Sequence, residues 1–163
     1  MNEGLISDLN MKYLEAVALY EAEITSSSLP DLVSYTNLAF LYWEFAAEYY
    51  EFNIPQQIPE KWSLIGGERF PIIIKMGLEK YPLSAELHFW ERYFPHRLFN
   101  SKFSQKDCES LLKKYKEDNS LIPYFFLYLF DQERYKENIV KLIEECNRLP
   151  TAKNLYIKSI LTD

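Results

Sequence analysis

The sequence predicts an all-α fold. Only 4 of the 163 residues are glycine, and apolar residues make up 48% and aromatic residues 17% of the chain. A composition this apolar is typical of a folded domain with a core, not of a disordered segment. β-Branched residues form no alternating runs, whereas apolar residues recur at steps of three and four, which favours helix throughout.

Candidate N-capping residues mark where several of the predicted helices begin. Ser28 is followed three residues later by Asp31, and Ser104 by Asp107, so each pair resembles a capping hydroxyl with an acid at the third position. Asp131 precedes another helical run and is a further candidate cap. The predicted helices, about eight in number, cover residues 7–25, 31–52, 67–81, 84–98, 104–117, 121–130, 132–148 and 151–162.

Residues 53–67 form the one long irregular segment that the sequence predicts. Gly66 and Gly67 lie at its end, and we interpret them as a turn. Irregular segments of this length in compact domains are often functional. We predict Trp62 as an exposed binding anchor, since Trp and Tyr contribute much of the binding energy at interfaces. The alternative is that Trp62 folds back over helix 31–52.

Two adjacent stretches resemble the tetratricopeptide (TPR) repeat. Residues 35–42, Tyr-Thr-Asn-Leu-Ala-Phe-Leu-Tyr, resemble the first helix of a repeat, and residues 13–23 resemble the second helix of the one before it. Pro82 and Pro150 are 68 residues apart, which is twice the TPR period. The resemblance implies a single domain, residues 1–163, in which antiparallel helix pairs form a right-handed α–α superhelix. Such repeats present a surface to other proteins and seldom carry chemistry.

Charge is distributed unevenly along the chain. The formal net charge is −6, but residues 1–60 hold ten acids and one base, a charge of −9, which leaves +3 for the remainder. An acidic half repels nucleic acid and anionic membranes and attracts a basic partner. The alternative interpretation is a charged face that serves only solubility.

Helix 31–52 carries most of the candidate binding residues. Its aromatic residues follow one stripe, and we expect most of them to be core. Glu44, Glu48 and Glu51 fall together on the opposite side, where we expect water and mutual repulsion of like charges. The first predicted helix also carries an excess of acids, so we predict that the acidic side of helix 31–52 binds a partner. The candidate partner-binding residues are Asn37, Glu44, Glu48, Tyr49, Tyr50, Glu51 and Trp62.

The residue types that support catalysis or metal binding are sparse. His88 and Glu91 form one i,i+3 pair that could supply two metal ligands, but no second pair accompanies it. No nucleophile motif surrounds any serine, and Cys108 and Cys146 are predicted to be buried, reduced thiols. We therefore expect no enzyme activity, no metal and no cofactor.

The sequence also predicts where the protein is located. The longest apolar run, 121–130, has about half the length that a membrane-spanning helix needs. The chain opens without the basic and apolar regions of a secretion signal. We expect a cytoplasmic protein that binds neither membrane nor nucleic acid.

These observations favour a protein-binding module that sequesters a basic protein. Small acidic helical proteins with degenerate TPR-like pairs resemble some bacterial immunity proteins, which neutralise a toxin, often a basic nuclease domain. Two alternatives are a TPR-like adaptor or chaperone that binds a peptide and a homodimeric helical protein whose aromatic face forms the dimer interface. A helical enzyme or ligand-binding domain is a third, and it would require a pocket.

Overall fold

Helices account for 76% of the chain in the computed structural model, which describes residues 2–162, and no strand occurs among them. The predicted all-α class is confirmed, as is the number of about eight helices, since eight have seven residues or more. The α-helices are α1 Glu3–Leu9, α2 Tyr13–Ser26, α3 Leu32–Ala47, α4 Lys61–Lys80, α5 Ala85–Phe99, α6 Gln105–Lys114, α7 Tyr124–Tyr128, α8 Gln132–Arg148 and α9 Ala152–Thr162. A π-helical turn, Tyr49–Asn53, follows α3, and a 3₁₀ turn, Lys116–Asp118, follows α6.

The chain divides into two compact units. The first unit ends at Pro82 and contains α1 to α4, and the second begins at Leu83 and contains α5 to α9. Within the first unit, α3 packs along α4, and α2 lies against both α1 and α3. The TPR-like superhelix and the single domain stay predictions.

The predicted helix 7–25 is two helices. α1 ends at Leu9, and Met11 adopts a left-handed conformation (φ 61°) in the turn before α2. A hydrogen bond from the hydroxyl of Tyr20 to Oδ2 of Asp8 (3.0 Å) joins the two helices. Gly4 lies so close to the Tyr20 ring that a Cβ there would be 2.4 Å from it. The helical period of the sequence continues through the turn and hides it.

The predicted helix 31–52 also ends early, and the next helix begins early. α3 stops at Ala47, and α4 starts at Lys61, so the irregular part of the connection is shorter than predicted. Gly66 and Gly67 therefore lie inside α4, and their interpretation as a turn is wrong. A Cβ on Gly66 would lie 2.1 Å from the carbonyl oxygen of Tyr42, so the glycine permits close approach of α4 to α3.

The second unit has an aromatic core. Phe89 and Tyr93 of α5 contact Phe125 of α7, with ring centroids 5.5 and 5.3 Å apart. The side chain of Phe103, from the segment before α6, stacks on Phe126 at 4.7 Å. The predicted helix 121–130 is shorter here, because only Tyr124–Tyr128 is α-helical.

Two of the three predicted helix caps form as expected. Ser104 and Asp107 form the predicted reciprocal capping box at the start of α6. Oδ1 of Asp131 accepts a hydrogen bond from the backbone N–H of Arg134 at the start of α8, as predicted. The pair Ser28 and Asp31 is different, because Asp31 itself is the N-cap of α3 and its side chain makes no capping bond.

Candidate functional site

The connection between α3 and α4 holds an outward-facing turn that a buried asparagine anchors. Asn53 is fully buried, and its Nδ2 donates to the carbonyl of Phe45 (2.8 Å) and to Oγ of Ser63 (3.2 Å). Its own carbonyl accepts from the N–H of Ile58 at 2.8 Å. One buried amide side chain thus ties the turn to both flanking helices and takes up a carbonyl that the end of α3 leaves unpaired.

The π-helical turn divides its side chains between core and solvent. Phe52 points inward and contacts the rings of Tyr13 at 5.0 Å and Phe45 at 6.1 Å. Tyr50 and Ile54 point outward and are 75% and 54% exposed. We define the connector surface as the exposed and half-exposed side chains of this turn: Glu48, Tyr49, Tyr50, Glu51 and Ile54.

Two predicted residues lie side by side on the connector surface. The rings of Tyr49 and Tyr50 meet edge to face at 5.2 Å. Tyr49 is half-buried, Tyr50 is exposed, and Glu51 beside them is exposed. Exposed aromatic groups flanked by carboxylates provide apolar contact and negative charge together, which suits a partner whose surface is apolar and basic.

Trp62 is not a free anchor. It lies in the first turn of α4, is half-buried, and contacts the Phe45 ring edge to face at 5.8 Å. Part of the alternative interpretation therefore holds, because Trp62 packs over the end of α3. Leu64, two residues after Trp62, is exposed, and its helical position was hidden because residues 53–67 were predicted to be irregular.

Glu44 and Asn37 are buried, so their expected place on an accessible surface is wrong. Nδ2 of Asn37 donates to the hydroxyl of Tyr20 (3.0 Å), and that hydroxyl donates to the fully buried Asp8. Glu44 is only 5% exposed. The α1–α2 pair packs against this side of α3. This packing is not evident from the sequence, because the predicted helix 7–25 merges α1 with α2.

Burial changes the acid–base chemistry of this region. It raises the pKa of Glu44 well above 4.5, and the nearby charges of Glu48 and Asp8 raise it further. Burial also raises the pKa of the Tyr13 hydroxyl, again with contributions from Asp8 and Glu44.

The acidic face of the first unit is consequently smaller than its sequence indicates. Asp8 and Glu44 are buried, and Glu21 pairs with Arg69 at 2.7 Å while it accepts from the Tyr42 hydroxyl at 2.6 Å. The acids of residues 1–60 that remain exposed are Glu3, Glu15, Asp31, Glu51 and Glu60.

The second unit has a polar cleft of about 270 Å³ between α5 and α6. His88 stacks on Tyr115 at 4.0 Å with the rings nearly parallel, and Nδ1 of His88 lies 4.0 Å from Glu91. Arg92 of α5 lies 3.4 Å from Asp107 of α6 and also lines the cleft. Carboxylates and cationic or basic groups thus lie in pairs along the walls of the cleft. His88 and Glu91, the candidate metal pair, belong to no cluster of three or more ligand residues within residues 2–162.

Comparison with known proteins finds no family model, no curated protein and no solved structure that matches this chain. In the described part of the chain, no helix combines the length and apolar character that crossing a membrane requires. The TPR resemblance stays a prediction from residues 13–42 and the proline spacing.

Proposed function

We propose that this chain is a non-catalytic module that binds and sequesters a basic protein through its connector surface. The observation that carries the proposal is the exposure of Tyr50 and Ile54 on a backbone that Asn53 holds in place. Because the hydrogen bonds of Asn53 already order the backbone of this turn, less backbone entropy is lost when its exposed side chains bind, which favours affinity.

Charge supports the choice of a basic partner. The first unit has twelve acids and five bases, a formal charge of −7, and Glu51 is exposed within the connector surface. Charge complementarity of this kind accelerates association more reliably than it adds affinity. A toxin-neutralising immunity protein is one form that such a module takes. The free thiols of Cys108 and Cys146 fit a reducing compartment such as the cytoplasm.

The experiment compares matched variants as bait in the native lysate at low salt. The connector variant carries Tyr50→Ala and Ile54→Ser, and the control carries Leu83→Ser, which alters an equally exposed residue (73%) in the second unit. We expect a basic protein that the unchanged chain and the control retain, that the connector variant loses, and that high salt releases. Mass spectrometry identifies it, and stopped-flow binding with Glu51→Lys is expected to show a lower association rate.

Three outcomes would contradict the proposal. Equal retention by the connector variant would place the binding surface elsewhere on the chain. If high salt did not release the captured protein, charge would not contribute to its binding. Capture of nothing, together with a dimer by light scattering that the connector variant abolishes, would make this surface a homodimer seam instead.

A further inference from the structure

Glu44 is a carboxyl group in the interior of the first unit. It lies in the last turn of α3, and its Oε1 is buried without a hydrogen-bond partner among the described residues. No lysine, arginine or histidine of residues 2–162 forms an ion pair with it. An ionised carboxylate is strongly disfavoured in such a place, whereas the neutral acid is tolerated.

The charged groups that act most strongly on Glu44 are acidic. The charges of Glu48, in the segment after α3, and of Asp8, in α1, both raise the pKa of Glu44, and Glu44 in turn raises the pKa of Tyr13 in α2. Asp8 is itself fully buried and accepts a hydrogen bond from Tyr20. A negative charge on Glu44 would therefore appear beside other negative charges in a poorly solvated place.

Two short segments of the unit pack on the helices around this carboxyl, α1 on α2 and the π-helical turn on α3. α1 has only seven residues and is joined to α2 by the turn at Met11. The π-helical turn begins directly after Glu48, whose N–H donates to the Glu44 carbonyl (2.8 Å), and Phe52 rests on Tyr13. A short helix and a turn open more readily than the long helices α3 and α4.

We propose that Glu44 is a pH-sensitive latch. While its carboxyl is neutral, α1 and the π-helical turn close over the end of α3. When the carboxyl ionises, these two segments loosen, and water reaches Glu44. The latch does not depend on the proposed partner, although it would change the shape of the connector surface.

The sign of the pH dependence follows from linkage. The folded state holds the proton on Glu44 more tightly than the unfolded state does, so the closed form is favoured at low pH. This advantage is lost as the pH rises from about 4.5 through the higher folded pKa. One proton of difference raises the opening constant by up to about tenfold for each pH unit in that window.

Hydrogen–deuterium exchange of the full chain, corrected for intrinsic rates between pH 5 and 8.5, tests the latch. We expect opening of residues 3–9 and 48–58 to increase with pH in the unchanged chain and to be independent of pH in Glu44→Gln. Amides of the second unit serve as the internal control and should not respond to the substitution. Equal pH profiles for the two proteins, or an equal response of the second unit, would overturn the proposal.

A carbon-13 NMR titration of the Glu44 carboxyl provides a test without any variant. We expect its midpoint well above that of an ordinary glutamate, about 4.3. A midpoint in the ordinary range would overturn the latch, whatever the stability of Glu44→Gln. Asp8→Asn should shift the midpoint downward, because it removes a negative neighbour.

Discussion

The carbonyl oxygen of Tyr42 occupies the space into which any side chain on Gly66 would have to project. A Cβ on Gly66 would lie 2.1 Å from this oxygen, whereas a Cβ on the adjacent Gly67 would meet only the Cβ of Ala46, at 3.7 Å. The two glycines are neighbours in α4, yet only Gly66 is required for the contact with α3.

Gly66→Ala is therefore expected to destabilise the first unit. The backbone of α3 has to move, and overpacking of this kind costs about 1–3 kcal/mol or more. Gly67→Ala is the matched control and should stabilise by about 0.5–1 kcal/mol, because alanine is the better helix residue. Urea unfolding measures both changes. Similar stability of the two variants would contradict the close contact with Tyr42.

The buried ion pair of the second unit leads to another prediction. Nζ of Lys153 lies 2.7 Å from Oε2 of Glu86, which also accepts from Nε1 of Trp90 at 2.9 Å. Lys153→Met leaves a largely buried carboxylate without its cation, so we expect a loss of about 3–5 kcal/mol in urea unfolding. Adding Glu86→Gln removes the charge and keeps an acceptor for Trp90, so the double variant should be more stable than the single one.

The control for this pair is Lys136→Met on the exposed face of α8. A surface substitution of this kind changes stability by about 0.5 kcal/mol or less. If Lys153→Met behaves like the control, the ion pair contributes no stability. If the double variant is the least stable of the three, the charge of Glu86 is compensated by groups other than Lys153.

The two thiols should be inert in the folded protein. Burial raises the pKa of Cys108 to about 12 and that of Cys146 to about 11, and the thiolate is the reactive form. We expect Ellman's reagent at pH 7.5 to label neither cysteine in buffer and both in urea, as read by absorbance and intact mass. Rapid labelling of one thiol in buffer would show that it is accessible in the folded protein.

Local patterns were sufficient wherever an element is decided by its own residues. Helix α8 was predicted at residues 132–148 and is found there, because its apolar period and the cap Asp131 lie within the segment itself. The capping box of Ser104 and Asp107 is equally local. Glu51 was predicted on the solvent side from the helical period of its own segment, and it is exposed.

The failures have one cause in common, which is packing between segments distant in sequence. Glu44 has the spacing of a solvated acid, yet it is buried, two helical turns after Asn37 on the face of α3 that contacts Tyr20 of α2. Gly66 has the appearance of a turn residue, and only the approach of Tyr42 explains its place inside a helix.

The amino-acid sequence by itself determined the all-α class, most of the helix positions and the excess of acids in residues 1–60, because composition, periodicity and capping are local properties. The tertiary structure alone decided which acids stay in water, where the first predicted helix divides and which aromatic residues remain exposed. Burial depends on what covers each helix face, and that cover comes from residues that no short stretch of sequence contains.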